Sequence, residues 1–176
     1  SDGLSISGKN ISYTRERKNI KLLNLNGADN QLNLDWWTNG TKPLDTIKFI
    51  FRSPNSTVTQ SLLESSGSAG QTMWKVNIIP SASDSKQAYT KFYLNNTMTG
   101  SSDVIANSVT MTSSYLPINN GELWNFMLKR DNSKVSGSGT NIYKMFVGMQ
   151  ENDKIKYISV ASMSVSGAMT GSVATN

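Results

Sequence analysis

Apolar residues recur at every second position along most of this chain, and that period limits the folds it can adopt. In one clear case, Trp124, Phe126 and Leu128 alternate with their neighbours, so a strand would place all three on one face. This pattern is typical of half-buried strands. No segment sustains the apolar spacing of an amphipathic helix over three turns. We therefore predict an all-β protein with these three residues in the core, and with Asn125 and Lys129 outside it.

Turn-forming residues divide the chain into many short strands. Gly, Pro, Asn and Ser-rich positions separate the apolar stretches, as expected where strands end. The predicted strands cover, in chain order, residues 20–25, 31–36, 45–52, 61–64, 73–79, 88–94, 104–111, the stretch after Gly121, a second stretch ending at Gly148, and 154–161 after a turn at 150–153. Residues 60–64 are the one place where a helical turn also fits. Many short strands of this kind favour a two-sheet sandwich or jelly roll.

The composition argues against most catalytic and metal chemistry. The 176 residues include no Cys and no His, which removes disulfides, thiolates and the commonest general base and transition-metal ligand. Calcium needs six to eight oxygen ligands, whereas single Asp residues are distributed over separate predicted loops, at Asp29, Asp84, Asp103 and Asp131. We expect no enzyme activity, no metal site and no cofactor.

The positive charge is concentrated near the N-terminus. The net charge is +5, and Arg15, Arg17, Lys18 and Lys21 form its densest cluster. The cluster lacks the interleaved aromatic residues typical of nucleic-acid binding, so we expect it to contact an acidic neighbouring subunit. No apolar window is long enough to cross a membrane, and the first residues show no signal peptide. We expect processed ends or a segment of a longer polypeptide.

A few aromatic and amide residues are candidates for ligand contact. Trp36 and Trp37 are adjacent, so in a strand they point to opposite faces and one of them leaves the core. That residue either covers a sandwich edge or interface, or forms a platform on which a sugar stacks. The other candidates are Asn39, Tyr115, Asn119 and Asn120. Trp74, like Trp124, is expected in the core.

The order of motifs in the second half resembles concanavalin A-like lectin and laminin-G domains. The turn Asn119-Asn120-Gly121 precedes a Trp-bearing strand, the charged corner Lys129-Arg130-Asp131 follows, and a further strand ends at Gly148. The similarity extends from about Leu22 to Ala161. It implies a two-sheet antiparallel jelly roll, and glycan binding as one function. The family's calcium ligands have no clear counterpart here. The carboxylate pattern of its hydrolase relatives begins at Glu151-Asn152-Asp153 but has Lys156 in the third position.

The chain departs from these families near its end, where the expected closing strand has no counterpart up to residue 176, so that strand either lies beyond residue 176 or is supplied by a neighbouring chain. We therefore predict an N-terminal arm (1–19), a jelly-roll domain (20–161) that lacks its closing strand, and a Ser/Gly/Ala-rich tail (162–176). Within the tail, Met163, Val165 and Met169 could form a strand that pairs with a neighbouring subunit.

These features favour binding and assembly over catalysis. The leading hypothesis is a structural and interaction domain of a homo-oligomeric assembly, such as a head-decoration, tail or fibre protein of a bacteriophage virion. Its partners would be other subunits, with host-surface attachment through a cell-surface glycan as an additional role. The alternative is a free carbohydrate-binding module. Both place the protein in a virion or at an extracellular surface.

Overall fold

The computed structural model describes residues 4–7, 12–15, 21–24, 31–34, 46–66, 72–95, 108–131 and 140–166. The chain divides into two compact units, residues 1–44 and 45–176, which are considered separately. In the first unit, strand β1 (Leu4–Ser7) pairs antiparallel with β4 (Gln31–Leu34). Strand β2 (Ser12–Arg15) pairs antiparallel with β3 (Lys21–Asn24). The predicted strands at 20–25 and 31–36 correspond to β3 and β4.

The described part of the second unit forms two four-stranded antiparallel sheets. The first, called here the β5 sheet, has the strand order β12-β11-β10-β5, and the second, the β6 sheet, has the order β6-β7-β8-β9. A short 3-10 helix, Ile118–Asn120, follows β9. The strands are β5 (Thr46–Arg52), β6 (Gln60–Ser66), β7 (Thr72–Pro80), β8 (Ala88–Asn95), β9 (Ser108–Thr112), β10 (Leu123–Asp131), β11 (Thr140–Glu151) and β12 (Lys154–Ser166). The predicted all-β, two-sheet antiparallel sandwich is confirmed.

The core lies between the two sheets, and the period-two pattern locates it correctly. Trp124, Phe126 and Leu128 on β10 are all fully buried, whereas Lys129 is exposed. From the β6 sheet, Phe92 packs against Tyr143 of β11 with ring centroids 5.7 Å apart. Other large buried residues on the strands of the two sheets include Ile47, Phe51, Trp74, Val76, Ile78, Leu94, Met111, Met145, Val147 and Met149. Because the inward positions of both sheets carry these residues, burial of apolar surface holds the sheets together.

Polar side chains join the segments that connect the sheets. The Asn119 amide is 1% exposed; its Oδ1 accepts a hydrogen bond from Ser53 Oγ (2.7 Å). Its Nδ2 donates to the carbonyls of Ser85 (3.1 Å) and Ser56 (3.3 Å). At another edge, the Ser114 N–H donates to Ser159 Oγ on β12 (2.9 Å). These bonds satisfy polar groups that burial would otherwise leave unpaired.

The structure decides one alternative and corrects one strand boundary. Residues 60–64 belong to strand β6, in agreement with the predicted strand at 61–64, and form no helical turn. Strand β12 does not end at residue 161, because its pairing with β11 continues to Ser166 opposite Thr140. Val165 is 7% exposed and lies in this chain's own sheet. The first five residues of the predicted tail are therefore part of the sandwich.

The predicted turn at 150–153 is a tight hairpin. Glu151 pairs with Lys154, which leaves a two-residue loop in which Asn152 and Asp153 have φ of 51° and 61°. Positive φ at both central residues is typical of a type I′ turn, which Asn and Asp tolerate better than most residues. This loop fixes the register of the two longest strands.

Candidate functional site

The structure describes three of the six predicted ligand-contact residues. Trp36, Trp37 and Asn39 lie outside the described residues, so their roles stay predictions. Asn119 is buried in the hydrogen-bond network above, which gives it an internal role in place of the predicted ligand contact. Asn120 is exposed, and its Oδ1 accepts hydrogen bonds from the Glu122 N–H (2.9 Å) and from Trp124 Nε1 (3.1 Å).

Tyr115 is the most accessible of the predicted ligand residues. Its side chain is 57% exposed, and its ring contacts the ring of Tyr89 edge to face, with centroids 5.0 Å apart. This contact supports the Tyr115 ring and leaves much of its surface open to solvent. The pair is a small aromatic surface beside the β6 sheet.

The predicted subunit-contact residues fall in several parts of the chain. Arg15 and Lys21 are opposite each other in the β2–β3 register. Arg17, Lys18 and Met169 lie outside the described residues. Met163 is partly exposed on β12 and, like Val165, faces the side of the sheet that carries the core. Contact of these residues with another subunit stays a prediction.

The carboxylates at the β11–β12 turn form no cleft. Glu151 and Asp153 are exposed on the hairpin, and Glu151 Oε2 lies 2.6 Å from Lys156 Nζ. The hydrogen bond from Lys156 to Glu151 raises the pKa of the Lys156 ammonium group. Within the described ranges, no group of three Asp or Glu side chains is placed to hold a metal ion.

The outer face of the β5 sheet, which points away from the core, is unusually apolar. Of seven large hydrophobic side chains exposed in the described residues, five lie on this face. They come from three of its four strands: Ile50 on β5, Ile142 on β11, and Ile155, Ile158 and Val160 on β12. Ile155 is 62% exposed, and Ile158 and Val160 are each 56% exposed. Scattered exposed apolar residues are ordinary, but a contiguous group of this kind indicates an interaction surface.

A shallow groove crosses the centre of this face. Its volume is about 260 Å³, and its walls include Met127, Phe146, Ile155 and Ile158. Gly148 also lines the groove. At this position strand β12 lies so close to β11 that a side chain would not fit. A Cβ at this position would lie 2.9 Å from the carbonyl oxygen of Tyr157. The glycine thus keeps both the close strand approach and the depression.

Charge is distributed unevenly along the same face. Lys129 is directly opposite Lys144 in the β10–β11 register, and Lys48 lies on the neighbouring strand opposite Met127. All three lysines are exposed, and no described carboxylate forms an ion pair with them. The β11–β12 hairpin at the other end of the sheet carries two carboxylates and two ammonium groups, Glu151, Asp153, Lys154 and Lys156, and Glu151 alternates with buried Met149 to the core side of β11. We call these the basic end and the hairpin end.

The sequence indicates this face by apolar residues at the outward positions of strands whose inward positions are also apolar, and a search for alternation alone does not detect them. Strand β10 and its neighbours carry inward apolar residues, but Ile50, Met127 and Phe146 occupy the outward positions of the same strands. Two apolar faces on one sheet require either a second layer of protein or an exposed patch. The candidate site is therefore found by asking which strands carry large apolar residues among the outward positions as well as at the inward ones.

Comparisons with known protein families, with curated proteins and with solved structures found no match to this chain. No helix in the described residues is long and apolar enough to cross a membrane. The two-sheet sandwich is shown by the structure itself, whereas the lectin-like resemblance stays a hypothesis.

Proposed function

We propose that this chain is a non-catalytic structural and interaction domain that binds other subunits of a larger assembly through the outer face of the β5 sheet. The observation that carries the proposal is the group of exposed aliphatic side chains around the Gly148 groove. Water contact with this surface is unfavourable, and covering it with protein would remove that cost.

The chemistry of the face favours a protein partner. The groove is lined mainly by aliphatic and aromatic carbon, with Lys48, Asn125 and Gln150 as polar members of its wall. A nucleic acid would be recognised by a basic, polar surface, and a catalytic site would bring together reactive groups. On this face the lysines Lys48, Lys129 and Lys144 adjoin an apolar centre, and no group of reactive side chains comes together there in the described chain.

The proposed setting is a virion, with the domain as a head-decoration, tail or fibre component of a bacteriophage. The support comes from the sequence: no Cys or His, abundant Ser, Thr and Asn, and a resemblance to lectin-like jelly rolls, which occur in large phage structural proteins. Homo-oligomerisation and contact with an acidic neighbour through the basic N-terminal cluster belong to the same proposal.

Carbohydrate binding is a second candidate, and one observation favours it. Tyr115 presents an exposed ring that Tyr89 supports from the side, and a fixed aromatic ring can stack against a sugar. A glycan array with the full chain tests this function. Specific binding that Tyr115→Ala abolishes would support a carbohydrate-binding module. Absence of binding would leave the structural role as the only candidate.

Position-specific cross-linking tests the structural role directly. Because the chain has no cysteine, a single cysteine can carry a benzophenone photo-cross-linker at a chosen site. Val160→Cys places it on the proposed face, and Thr112→Cys places it at an exposed position of the β6 sheet as a matched control. In the assembly that the protein forms in its source, the Val160 site should cross-link to another polypeptide chain. Equal or stronger cross-linking at the Thr112 site would contradict the proposal.

A further inference from the structure

We infer that the partner on the outer face of the β5 sheet is an acidic segment of a different polypeptide. That segment places an apolar side chain in the groove beside Gly148 and carboxylates over the lysines of the basic end. The inference rests on the proposed function, because it assumes that the face is a docking surface. It adds the chemical class of the occupant and the direction in which it lies along the strands.

Three exposed lysines are close together at the basic end, and no described carboxylate pairs with them. Lys129 and Lys144 are directly opposite each other on β10 and β11, and Lys48 lies on β5 in the adjacent row. Like charges directly opposite each other in an antiparallel pair are unfavourable. The register places one acidic residue, Asp131, in the row beyond the pair, so positive charge remains in excess. A carboxylate between the ammonium groups would relieve their repulsion.

The apolar groove adjoins the basic end closely enough for one segment to reach both. Lys48 is itself part of the groove wall, together with Met127 and Phe146. Along β11, Lys144 precedes Gly148 by four residues, which is about 14 Å at roughly 3.4 Å per residue. An extended segment covers this distance with about four residues. A segment with an apolar residue and acidic residues at about that spacing would contact the groove and the lysines together.

The 176 residues of this chain offer no such segment to a second copy. Of the 12 acidic residues, only Glu151 and Asp153 lie within five positions of each other. Both belong to the β11–β12 hairpin, where Lys154 and Lys156 balance their charge and Glu151 is ion-paired with Lys156. Two copies with a net charge of +5 also repel each other. The occupant is therefore a different polypeptide, and any self-association of this chain uses another surface.

The arrangement matches a polypeptide better than an anionic membrane or a nucleic acid. The lysines lie at one end of the apolar centre, which defines a direction, whereas a bilayer surface is uniform in its plane. A nucleic acid carries phosphates along its whole length, and these would lie against the exposed aliphatic side chains of Ile155 and Ile158. A groove that accepts an apolar anchor, with charged groups at its border, is typical of protein interfaces.

Competition for places in the assembly that the protein forms in its source measures the role of the charge. Full chains with Lys129→Glu and Lys144→Glu are supplied with an equal amount of wild type, and mass spectrometry determines the ratio in the purified assembly. The variant should be incorporated about tenfold less, because repulsion replaces attraction. The matched control, Lys86→Glu with Lys91→Glu, lies outside this face, carries the same change of charge, and should be incorporated like wild type. Equal incorporation of both variants would overturn the acidic character of the partner.

Lys129→Glu alone separates binding from folding. It places opposite charges across β10 and β11, so the purified variant should melt at or above the wild-type temperature. Its incorporation should nevertheless fall severalfold. A loss of incorporation that accompanies a lower melting temperature would contradict the inference, because the lysine would then act on the fold.

Zero-length carbodiimide coupling identifies the partner segment, because it joins an ammonium group to a carboxylate in direct contact with it. In the assembly, Lys129 or Lys144 should couple to Asp or Glu of a different polypeptide. The coupled segment should also be the one that the photo-cross-linker at Val160→Cys reaches, whereas the control Lys86 should not couple to it. Photo-cross-linking without any coupling of these lysines would refute the contact with carboxylates.

The outcomes separate this inference from the proposed function. If the Val160→Cys site cross-links to another copy of this chain, or to a segment without carboxylates, the docking role stands and the acidic partner is wrong. If it cross-links to no polypeptide, both fail. The purified chain should also remain unbound when mixed with vesicles of phosphatidylcholine and phosphatidylserine. Flotation with these vesicles that Val160→Asp abolishes would make a membrane the occupant and overturn both.

Discussion

Replacing Trp124 by alanine tests whether the alternation of β10 defines the core. The side chain is fully buried, stacks on Tyr157 with ring centroids 5.8 Å apart, and donates from Nε1 to Asn120 Oδ1 at 3.1 Å. A buried aromatic ring removes about 200 Å² from water, which contributes roughly 5 kcal/mol at about 25 cal/mol per Å². Alanine retains part of this burial, so Trp124→Ala should lower the free energy of unfolding by about 3–5 kcal/mol.

Calorimetry of the full chain measures this loss, and two variants on the same strand calibrate it. Trp124→Phe keeps an aromatic ring but loses the hydrogen bond to exposed Asn120, so its cost should be near 1–2 kcal/mol. Lys129→Ala removes an exposed side chain and should stay within about 0.5 kcal/mol of wild type. The alanine variant should melt roughly 10 °C below wild type. A difference of only a degree or two would refute the assignment of Trp124 to the core.

Four further outcomes are expected. Gly148→Ala should destabilise by about 1–3 kcal/mol in urea unfolding, because its Cβ would lie 2.9 Å from the Tyr157 carbonyl oxygen; unchanged stability would show that the strands are not so close. Asn119→Ala should cost about 2–3 kcal/mol by the same assay, since it removes three buried or partly buried hydrogen bonds, and a neutral result would contradict its internal role. Burial raises the pKa of Tyr143, so its contribution to stability is complete below the unfolded-state pKa of about 10 and declines above it. Above pH 10, the free energy of unfolding of Tyr143→Phe, measured by urea titration, should therefore fall less steeply with pH than that of the wild type. Equal slopes for the two proteins would argue against the burial of Tyr143. The purified chain should not hydrolyse polysaccharides, and activity that Glu151→Gln abolished would refute the non-catalytic role.

The sequence was sufficient to predict the sheets but not their outer surfaces. Trp124, Phe126 and Leu128 were assigned to the core by alternation, because the opposite face of β10 holds more polar residues such as Asn125 and Lys129. Alternation within one strand does not show which outward residues come together once several strands are neighbours in a sheet. The apolar outer face forms only when β5, β10, β11 and β12 are side by side. That neighbour order depends on contacts between residues as distant in sequence as Phe49 and Phe126.

Two misjudged elements show the same limit. Residues 162–166 carry small, weakly periodic side chains that predict no strand, yet β12 continues there because the partner strand β11 extends to Thr140. Asn119, in the Asn119-Asn120-Gly121 turn, was predicted to contact a ligand. The turn exists, but distant serine and carbonyl groups converge on the Asn119 amide and bury it. Tertiary context decided both cases.

The central claim, that the outer face of the β5 sheet is covered by another protein subunit, can be measured by thiol protection. The full chain with Val160→Cys is alkylated by a maleimide both as purified protein and within the assembly that it forms in its source, alongside the Thr112→Cys control. We predict that alkylation of the Val160→Cys thiol is slower in the assembly than in the purified chain, whereas the Thr112→Cys thiol reacts at the same rate in both. Equal rates in the two states at both positions would contradict the claim.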